Sequence, residues 1–414
     1  MKPVGIEAIN AYLGETFVDV PELFRARRLD DSRLDNLMMR RKSVALHCED
    51  AVSFAVNAAK PLVDALTEEQ RAGIELLVVG TESGLDFGKS LATYVHDQLG
   101  LPRSCRLVET KQACYSATAA MQLAAGVVAA SPYEGTRALV IASDVARPVP
   151  FTYVEPSQGA GAVAMLIGDD PVVAALDPGA NGFHSFEVMD TCRPTPTEEA
   201  GDADLSLLTY IECLGAAFAD YARKVEGADL VDTFDLLAMH TPFPGMVKGA
   251  HRTVLRRAKR MGPAELEADF ARRLGPSLRY PSEVGNVYAG TVFLSLLSTL
   301  DHAPLDGPRR VGVFSYGSGC SSEFYSAVVT PASQRATRAM GVEAALADRY
   351  RLAMDEYDEL LAATAELTFG TPDFTMDLDR FPQIVKRQLA RRSRLVLHEV
   401  RGHHREYVWL GGAH

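Results

Sequence analysis

Short apolar runs alternate with longer helical segments along most of the chain. The runs Ile74–Gly80, Arg137–Ser143 and Phe234–Met239 are bounded by turn-forming residues, so each predicts a strand buried on both faces. The segment Glu109–Val127 is rich in alanine and apolar nearly all round, which predicts a buried helix. Strands and helices that alternate in this way indicate an α/β fold.

The alternating pattern occurs twice. In the first half, Cys114 precedes the alanine-rich helix, and a predicted strand starts 24 residues later at Ala138. In the second half, Asn286 precedes an apolar helix, and a predicted strand starts 25 residues later at Val311. This repeat predicts a duplicated α/β core with a pseudo-twofold axis. Two central helices would then lie antiparallel between two sheets, with their N-termini meeting at one site.

The repeat divides the chain into three regions. Residues 1–170 form the first half of the core, and residues 171–330 form the second half. Within the second half, residues 189–207 show no periodicity and predict an irregular segment. Residues 331–414 are more charged and mostly helical in pattern, with a hint of strand. We expect this last region to be a C-terminal helical elaboration packed on the core.

Candidate chemistry lies where the predicted strands end. Glu82 and His240 each follow a buried strand, and α/β folds place reactive groups at the carboxyl ends of such strands. Cys114 lies at a strand-to-helix junction, where the helix dipole favours the thiolate, the nucleophilic form. From the residues alone, Cys114 could equally be a core residue. A solvated acid for Glu82 and a hydrogen-bonded core histidine for His240 are the less favoured alternatives.

Net charge, cysteine spacing and the distribution of apolar residues exclude several classes of function. The formal net charge of −12 argues against nucleic acid as a main partner. The six cysteines are scattered without a C-x-x-C pair, which predicts free thiols, no metal site and a reducing compartment. There is no run of 18 apolar residues and no signal peptide at the N-terminus, so we expect a cytoplasmic protein without a membrane span.

Six motifs, in this order, resemble the 3-hydroxy-3-methylglutaryl (HMG) synthase family of the thiolase superfamily: VVGTESG, KQACYSATAA, GAGAVAMLIG, MHTPF, GNVY and VFSYGSG. The resemblance implies a thiolase-like fold with αβαβα layers. Other stretches, among them VMDTCRPTP and HTPFPGMVKGAHR, resemble the members that serve polyketide β-branching. Those members act on acyl groups carried by acyl carrier proteins, where the mevalonate-pathway members use coenzyme A.

The resemblance implies a role for several residues. Cys114 would take acetyl from a donor carrier protein, and Glu82 would be the general acid/base that removes a methyl proton and protonates the new alkoxide. His240 would contact the thioester or β-keto oxygen of the acceptor. Asn286 and Ser318 would line the acyl site. A cysteine suits this chemistry because a thioester acidifies the α-carbon, and a carboxyl in an apolar site has its pKa raised toward neutrality.

Two further substrate-binding candidates are less direct. The loop between Val145 and Gln158 is shorter than in many family members, and mevalonate-pathway enzymes place an aromatic residue near Pro148. Tyr153 would take the place of that residue. Lys248 follows His240 on a predicted helix and would also contact substrate.

The implied partners are a donor acetyl carrier protein and an acceptor β-ketoacyl carrier protein of a polyketide synthase. Carrier proteins are usually acidic, so docking needs a basic rim, for which the candidates are Arg33, Arg40, Arg41, Lys42 and Arg252. By pattern alone, the cluster 40–42 is a solvated helix face. The resemblance also implies a homodimer. No cofactor is implied beyond the phosphopantetheine that arrives with the carrier.

Three alternatives stay open at this point. The first is an HMG-CoA synthase of the mevalonate pathway, which would use acetyl-CoA and acetoacetyl-CoA. The second is a ketosynthase III-like enzyme, against which Glu82 argues, since decarboxylative condensation needs no base there. The third is a catalytically silent scaffold that binds carrier proteins, against which the intact Cys114, Glu82 and His240 argue.

Overall fold

The computed structural model describes residues 2–259, 261–388 and 392–411. Its strands are β1 Gly5–Tyr12, β2 Thr16–Asp19, β3 Arg41–Val44, β4 Ile74–Gly80, β5 Arg106–Thr110, β6 Arg137–Val145, β7 Ala160–Gly168, β8 Ala174–Ser185, β9 Thr191–Thr195, β10 Glu198–Gly201, β11 Leu236–Met239, β12 Arg309–Gly317, β13 Ser321–Val329, β14 Tyr350–Arg351, β15 Phe374–Thr375, β16 Arg394–Arg401 and β17 His404–Leu410.

The helices alternate with these strands through most of the core. They are α1 Val20–Arg27, α2 Leu34–Leu37, α3 Ala51–Asp64, α4 Glu68–Ala72, α5 Ala92–Leu99, α6 Ser116–Ala130, α7 Ala203–Lys224, α8 Pro244–Ala258, α9 Pro263–Arg273, α10 Arg279–Val284, α11 Thr291–His302, α12 Pro331–Ala339, α13 Val342–Ala347, α14 Met354–Ala365 and α15 Pro382–Gln388. Short 3-10 turns cover 31–33, 155–157, 275–278 and 288–290.

The main sheet confirms the duplication. Its nine strands run in the order β11-β12-β13-β8-β1-β7-β6-β4-β5. In the first half β4 pairs parallel with β6, which pairs antiparallel with β7, and in the second half β11, β12 and β13 repeat these pairings. The strand β5 adds an edge to the first half only.

The two halves share one sheet where the repeat predicted two. They join through a short antiparallel pairing of β1 with β8, at Gly5 with Ala175 and at Ile6 with Ala174. The prediction was wrong on this point because strand patterns report burial and not what lies at a strand's edge. Each of these strands would otherwise present unpaired backbone groups there.

The layers follow from three hydrophobic clusters. One cluster holds α6 and α11 together with inward-facing residues of both sheet halves. A second packs α3 and α5 on the outer face of the first half, and a third packs α7 and α8 on the outer face of the second half. Gly80 lets α6 approach β4 closely, since a Cβ there would lie 2.7 Å from the Cα of Ala117. The two halves of the sheet thus form two layers around α6 and α11, with further helices outside each, which is the predicted αβαβα arrangement.

The helix α6 is only partly buried, which corrects the expectation of burial all round. Ala117, Ala120 and Met121 face the core, whereas Leu123 is 63 % exposed. The stretch Ala113–Ala130 is long and apolar enough to cross a bilayer, although no run of that kind was expected. Its apolar composition is explained by packing, because its buried face belongs to the central cluster.

Three other segments differ from their predictions. The segment predicted to be irregular contains the hairpin of β9 and β10, after which Asp202 caps α7. Arg41 and Lys42 of the basic cluster 40–42 belong to strand β3, which pairs with β2, so the cluster is not a helix face. The C-terminal elaboration has the predicted helices and, in addition, a three-stranded sheet of β15, β16 and β17. Asn57 on α3 bonds both backbone groups of Leu395, which fastens that sheet to the core.

Candidate active site

A thiol and a carboxyl meet at the carboxyl end of the first-half strands. Cys114 lies in the turn two residues before α6, and its Sγ donates a hydrogen bond to Oε1 of Glu82 at 3.2 Å. The turn is tight, because Ala113 has a left-handed φ of 44°. Gly317 packs against it so closely that a Cβ there would lie 2.5 Å from the carbonyl oxygen of Gln112. The structure therefore brings together the predicted nucleophile and the predicted base.

Asp144 holds the backbone around Glu82 in place through hydrogen bonds. Its Oδ1 accepts hydrogen bonds from the backbone N–H of Glu82 at 2.7 Å and from the hydroxyls of Thr81 and Ser83. Its Oδ2 accepts from the backbone N–H of Ala289, which precedes α11 in the second half. This buried carboxylate thus fixes the loop that carries Glu82 and ties the two halves together at the site.

Burial changes the acidity of both reactive groups. It raises the pKa of Glu82 to about 7, with the guanidinium of Arg193 opposing that rise and the carboxyl of Asp144 adding to it. Burial, followed by the nearby Glu82, raises the pKa of the Cys114 thiol well above its ordinary value. The dipole argument for a thiolate is therefore outweighed, and the resting site holds a thiol hydrogen-bonded to a carboxyl.

Arg193 is the site residue that the sequence did not reveal. It lies on β9 with its Nη2 at 4.0 Å from Oε2 of Glu82 and 3.5 Å from Oε2 of Glu199. Its guanidinium also stacks 4.7 Å from the centre of the Tyr288 ring. The hairpin that positions Arg193 has no hydrophobic alternation, so only its three-dimensional pairing places a cation beside Glu82.

His240 follows β11 and is almost fully buried. Its N–H donates to the carbonyl of Phe314 on β12, and its carbonyl accepts from the hydroxyl of Tyr210. The next residue of β12, Ser315, accepts a hydrogen bond from Thr118 on α6. These contacts link the strand end that carries His240 to the helix that follows Cys114. Burial lowers the pKa of His240 to about 3, so its imidazole is neutral.

Asn286 and Ser318 lie at the ends of the second-half elements. The Oδ1 of Asn286 accepts from the backbone N–H of Tyr288 and from the hydroxyl of Thr291, which organises the start of α11. The carbonyl of Ser318 accepts from the side chain of Gln112 at 3.5 Å. Both residues therefore adjoin the turn or helix start next to the site, and their contact with substrate stays a prediction.

The remaining predicted residues lie farther out. Tyr153 is partly exposed, and the guanidinium of Arg33 stacks 4.2 Å from its ring centre. Lys248, on α8, forms an ion pair with Glu267 at 2.7 Å. Arg252 is exposed on the same helix.

One docking candidate is excluded by its burial. Lys42 is 1 % exposed, and its ammonium donates to the carbonyl of Glu155 at 2.7 Å and to the hydroxyl of Tyr357. It cannot contact a carrier protein, so its assignment to the basic rim was wrong. Arg40 is exposed but is already paired with Glu283 at 2.7 Å, and Arg41 pairs with the same carboxylate.

The arrangement can support chemistry at a thioester. A thiol can accept an acyl group, and an adjacent carboxyl with a pKa near 7 can take and return protons at neutral pH. Arg193 supplies positive charge beside that carboxyl. Within the described ranges, no group of three or more His, Cys, Asp or Glu side chains is placed to hold a metal ion.

Comparison with known proteins gives the same family for both halves. The family models described as hydroxymethylglutaryl-coenzyme A synthase N terminal and C terminal match residues 1–172 and 253–380. The polyketide biosynthesis 3-hydroxy-3-methylglutaryl-ACP synthase PksG of Bacillus subtilis is 48 % identical over 99 % of this chain and 100 % of its own. The hydroxymethylglutaryl-CoA synthase of Enterococcus faecalis is 34 % identical over 88 % of this chain and 92 % of its own.

Solved structures agree with the sequence comparison. The curacin biosynthetic pathway HMG synthase, solved in complex with acetyl donor-ACP, superposes with a TM-score of 0.96 at 50 % identity, covering 99 % of this chain and 100 % of that chain. MvaS in complex with 3-hydroxy-3-methylglutaryl coenzyme A gives a TM-score of 0.86 at 32 % identity, with the same coverage.

Fold and site together define a condensing enzyme of thiolase-like fold. A duplicated α/β core presents a buried thiol against a carboxyl, as chemistry at an acyl thioester requires. The chain belongs to the hydroxymethylglutaryl-coenzyme A synthase family. It is thus an enzyme of the hydroxymethylglutaryl synthase type, which forms a carbon–carbon bond.

Proposed function

We propose that this chain is the HMG synthase of a polyketide β-branching system, acting on substrates carried by acyl carrier proteins. Its close likeness to PksG and to the curacin HMG synthase supports this choice of carrier. The hydrogen bond between Cys114 and Glu82 is the single observation that supports the chemistry most directly. It joins the group that takes acetyl to the group that must later remove a proton from it.

The first step is acetyl transfer. The Cys114 sulfur attacks the carbonyl carbon of the acetyl carrier thioester as Glu82 takes the thiol proton, and the bond to the carrier sulfur breaks. Glu82 then returns the proton to the departing carrier thiolate. Backbone N–H groups of the Cys114 and Ser318 turns are candidate donors to the oxyanion of this step.

The second step forms the carbon–carbon bond. Glu82, again a carboxylate, removes a proton from the methyl group of the acetyl thioester, and the resulting carbanion adds to the β-ketone of the acceptor. Glu82 then protonates the new alkoxide. A neutral His240 suits contact with the acceptor's carbonyl oxygen, because a buried imidazolium would carry a large desolvation cost.

The third step is hydrolysis, in which water releases the product from Cys114 on its acceptor carrier. Docking of either carrier would draw on the exposed arginines of the basic rim, of which Arg33 and Arg252 form no ion pair within the described residues. Asn286, Ser318, Tyr153 and Lys248 are proposed to contact substrate. A homodimer and a cytoplasmic location complete the proposal.

Intact-protein mass spectrometry tests the proposal. The purified enzyme is offered acetyl carrier protein and acetyl-CoA in parallel, and we expect faster acetylation of Cys114 from the carrier protein. Cys114→Ala should abolish acetylation, whereas Cys105→Ala, a matched change at a partly exposed thiol, should acetylate normally. Equal or faster loading from acetyl-CoA would instead favour the mevalonate-pathway alternative.

A further inference from the structure

Three residues with unused hydrogen-bonding capacity line one small cavity beside the site. The cavity has a volume of about 160 Å³, and its lining includes Gln158, Arg193 and Tyr288. The buried hydroxyl of Tyr288 and the buried Oε1 of Gln158 have no hydrogen-bond partner among the described residues. The guanidinium of Arg193 makes ion pairs at 3.5 and 4.0 Å but, within the same residues, no hydrogen bond.

Such a grouping is unusual for a folded protein. Buried polar atoms are nearly always hydrogen-bonded, because an unpaired one costs about 1–3 kcal/mol. Here two donors, Arg193 and the Tyr288 hydroxyl, share a cavity with one spare acceptor, the Gln158 carbonyl. Gln158 is itself held in place, since its Nε2 donates to Glu199 at 2.9 Å. The residues that line the cavity therefore include donors and an acceptor that could bind a small polar ligand.

The position of the cavity relates it to the reaction. Arg193 lies 4.0 Å from one oxygen of Glu82, while the other oxygen of Glu82 accepts the hydrogen bond from Cys114 at 3.2 Å. Arg193 and the Cys114 sulfur therefore lie beside the two oxygens of one carboxyl group.

Hydrolysis of the condensed thioester creates a matching ligand. Water adds its oxygen to the acyl carbon and gives a proton to Glu82, and the carbon–sulfur bond breaks with its electron pair going to Cys114. The sulfur recovers the proton from Glu82, and the new carboxylic acid loses its own proton to solvent. The product then carries a carboxylate two carbons from a tertiary hydroxyl.

The new anion needs a cation at this place. Glu82 and Asp144 are already close to the sulfur, so a third carboxyl group would be repelled without compensation. Arg193 and Tyr288 can donate to the carboxylate, and Gln158 can accept from the hydroxyl. An amide N–H of phosphopantetheine could donate to Gln158, but the amides are neutral and do not need the positive charge of a guanidinium.

We propose that Arg193, Tyr288 and Gln158 form a subsite for the 3-hydroxy carboxylate end of the product. This inference rests on the proposed function and assigns Arg193 to the hydrolytic step. Charge-assisted hydrogen bonds from Arg193 strengthen as the carboxylate forms, so they favour hydrolysis over the earlier steps.

A time course of the covalent intermediates tests the subsite. Enzyme loaded from acetyl carrier protein is mixed with acetoacetyl carrier protein as the acceptor and followed by intact mass. We expect Arg193→Gln to load acetyl normally but to accumulate a covalent conjugate of enzyme and carrier, with hydrolysis slowed at least about tenfold. Arg193→Lys should restore part of the rate, and Tyr288→Phe should slow hydrolysis about threefold.

The controls separate this inference from the proposed function. Arg310→Gln removes an exposed arginine paired with Asp177 and should match the wild type. If wild-type enzyme turns over carrier substrates and Arg193→Gln shows no extra conjugate, the subsite is wrong and the function stands. If Arg193→Gln instead fails at acetyl loading, Arg193 acts earlier and the subsite is equally wrong. Should Arg193→Gln not fold, unslowed hydrolysis in Tyr288→Phe overturns the subsite. Failure of the wild type to load from the carrier contradicts the function itself.

Discussion

Two partly buried ionic clusters lie at the loop between β6 and β7, and they differ in how fully their hydrogen bonds are used. The anchor cluster consists of Arg27, Lys42, Glu155 and Asp358. In it, the Nε of Arg27 bonds both oxygens of Glu155 at 3.1 Å, its Nη groups bond Asp358, and Lys42 bonds the Glu155 carbonyl. The site cluster consists of Glu82, Asp144, Arg193 and Glu199. There Arg193 has ion pairs but no hydrogen bond among the described residues.

The difference separates a structural role from a reactive one. The anchor cluster joins α1, the loop residue Glu155 and helix α14, and the charge of Arg27 is paired with two carboxylates. Each nitrogen of the Arg27 guanidinium already bonds a carboxylate. The site cluster keeps donor capacity and a carboxyl with a pKa near 7, so it can bind an anion and exchange protons. Unused hydrogen-bonding capacity in a partly buried cluster, and not burial or charge alone, distinguishes the reactive region from the structural one.

Removing the site carboxyl should have the largest effect. Glu82→Gln removes the base that generates the carbanion, so we expect condensation to fall about a thousandfold. Acetyl loading should persist at a reduced rate, because Glu82 no longer takes the thiol proton but loss of the adjacent carboxyl also lowers the pKa of Cys114. Quench-flow with intact-mass detection measures both steps. Glu155→Gln is the matched control and should condense at close to the wild-type rate; normal condensation by Glu82→Gln would remove Glu82 from the mechanism.

Breaking the anchor cluster should act on stability instead. Glu155→Ala removes the buried carboxylate that accepts from the Nε of Arg27, although the backbone carbonyl that Lys42 bonds is kept, and we expect this to cost about 3 kcal/mol of unfolding free energy. Urea denaturation followed by fluorescence measures the change. The conservative Lys42→Met, which removes one charge with similar volume, should cost less. A Glu155→Ala protein as stable as the wild type would show that Asp358 alone compensates Arg27.

The two clusters were not equally visible in the sequence. Glu82 was predicted because it follows, and Cys114 because it precedes, an element whose apolar pattern is clear, and β4 has the predicted bounds of Ile74–Gly80. Lys42 was misassigned because its burial depends on Glu155, 113 residues away. Arg193 was missed because a polar hairpin carries no periodic signal. Sequence patterns thus locate residues whose position depends on a single strand or helix. They fail for residues whose position depends on contacts with residues far away in the sequence.

The acidity of the site carboxyl gives a smaller but specific effect. With a pKa of about 7, Glu82 loses its base form as the pH falls through 7, so condensation should drop about tenfold from pH 8 to pH 6. An ordinary glutamate would stay ionised over that range. Single-turnover condensation of preloaded enzyme measures the profile without the loading step. Glu155→Gln should keep the same midpoint, and a rate that is flat down to pH 5 would contradict the assignment.

The smallest expected effect extends the comparison to the surface. Arg33 is exposed and forms no ion pair within the described part of the chain, whereas Arg40 is neutralised by Glu283. If spare charge also marks the docking rim, Arg33→Glu should raise the KM for acetyl carrier protein about threefold, with kcat unchanged, and the effect should shrink at high salt. Arg40→Glu should change the KM less.

Steady-state kinetics at two ionic strengths distinguishes these two arginines. Arg223→Glu, on α7 and paired within its own helix with Asp220, controls for a general change in net charge. Carrier proteins contact the enzyme through exposed charges, which salt screens. An effect of Arg33→Glu on KM that did not change with ionic strength would therefore point to lost stacking on Tyr153 instead. Equal effects at Arg33 and Arg40 would show that pairing at the surface, unlike pairing in the interior, does not decide which charges are available to a partner.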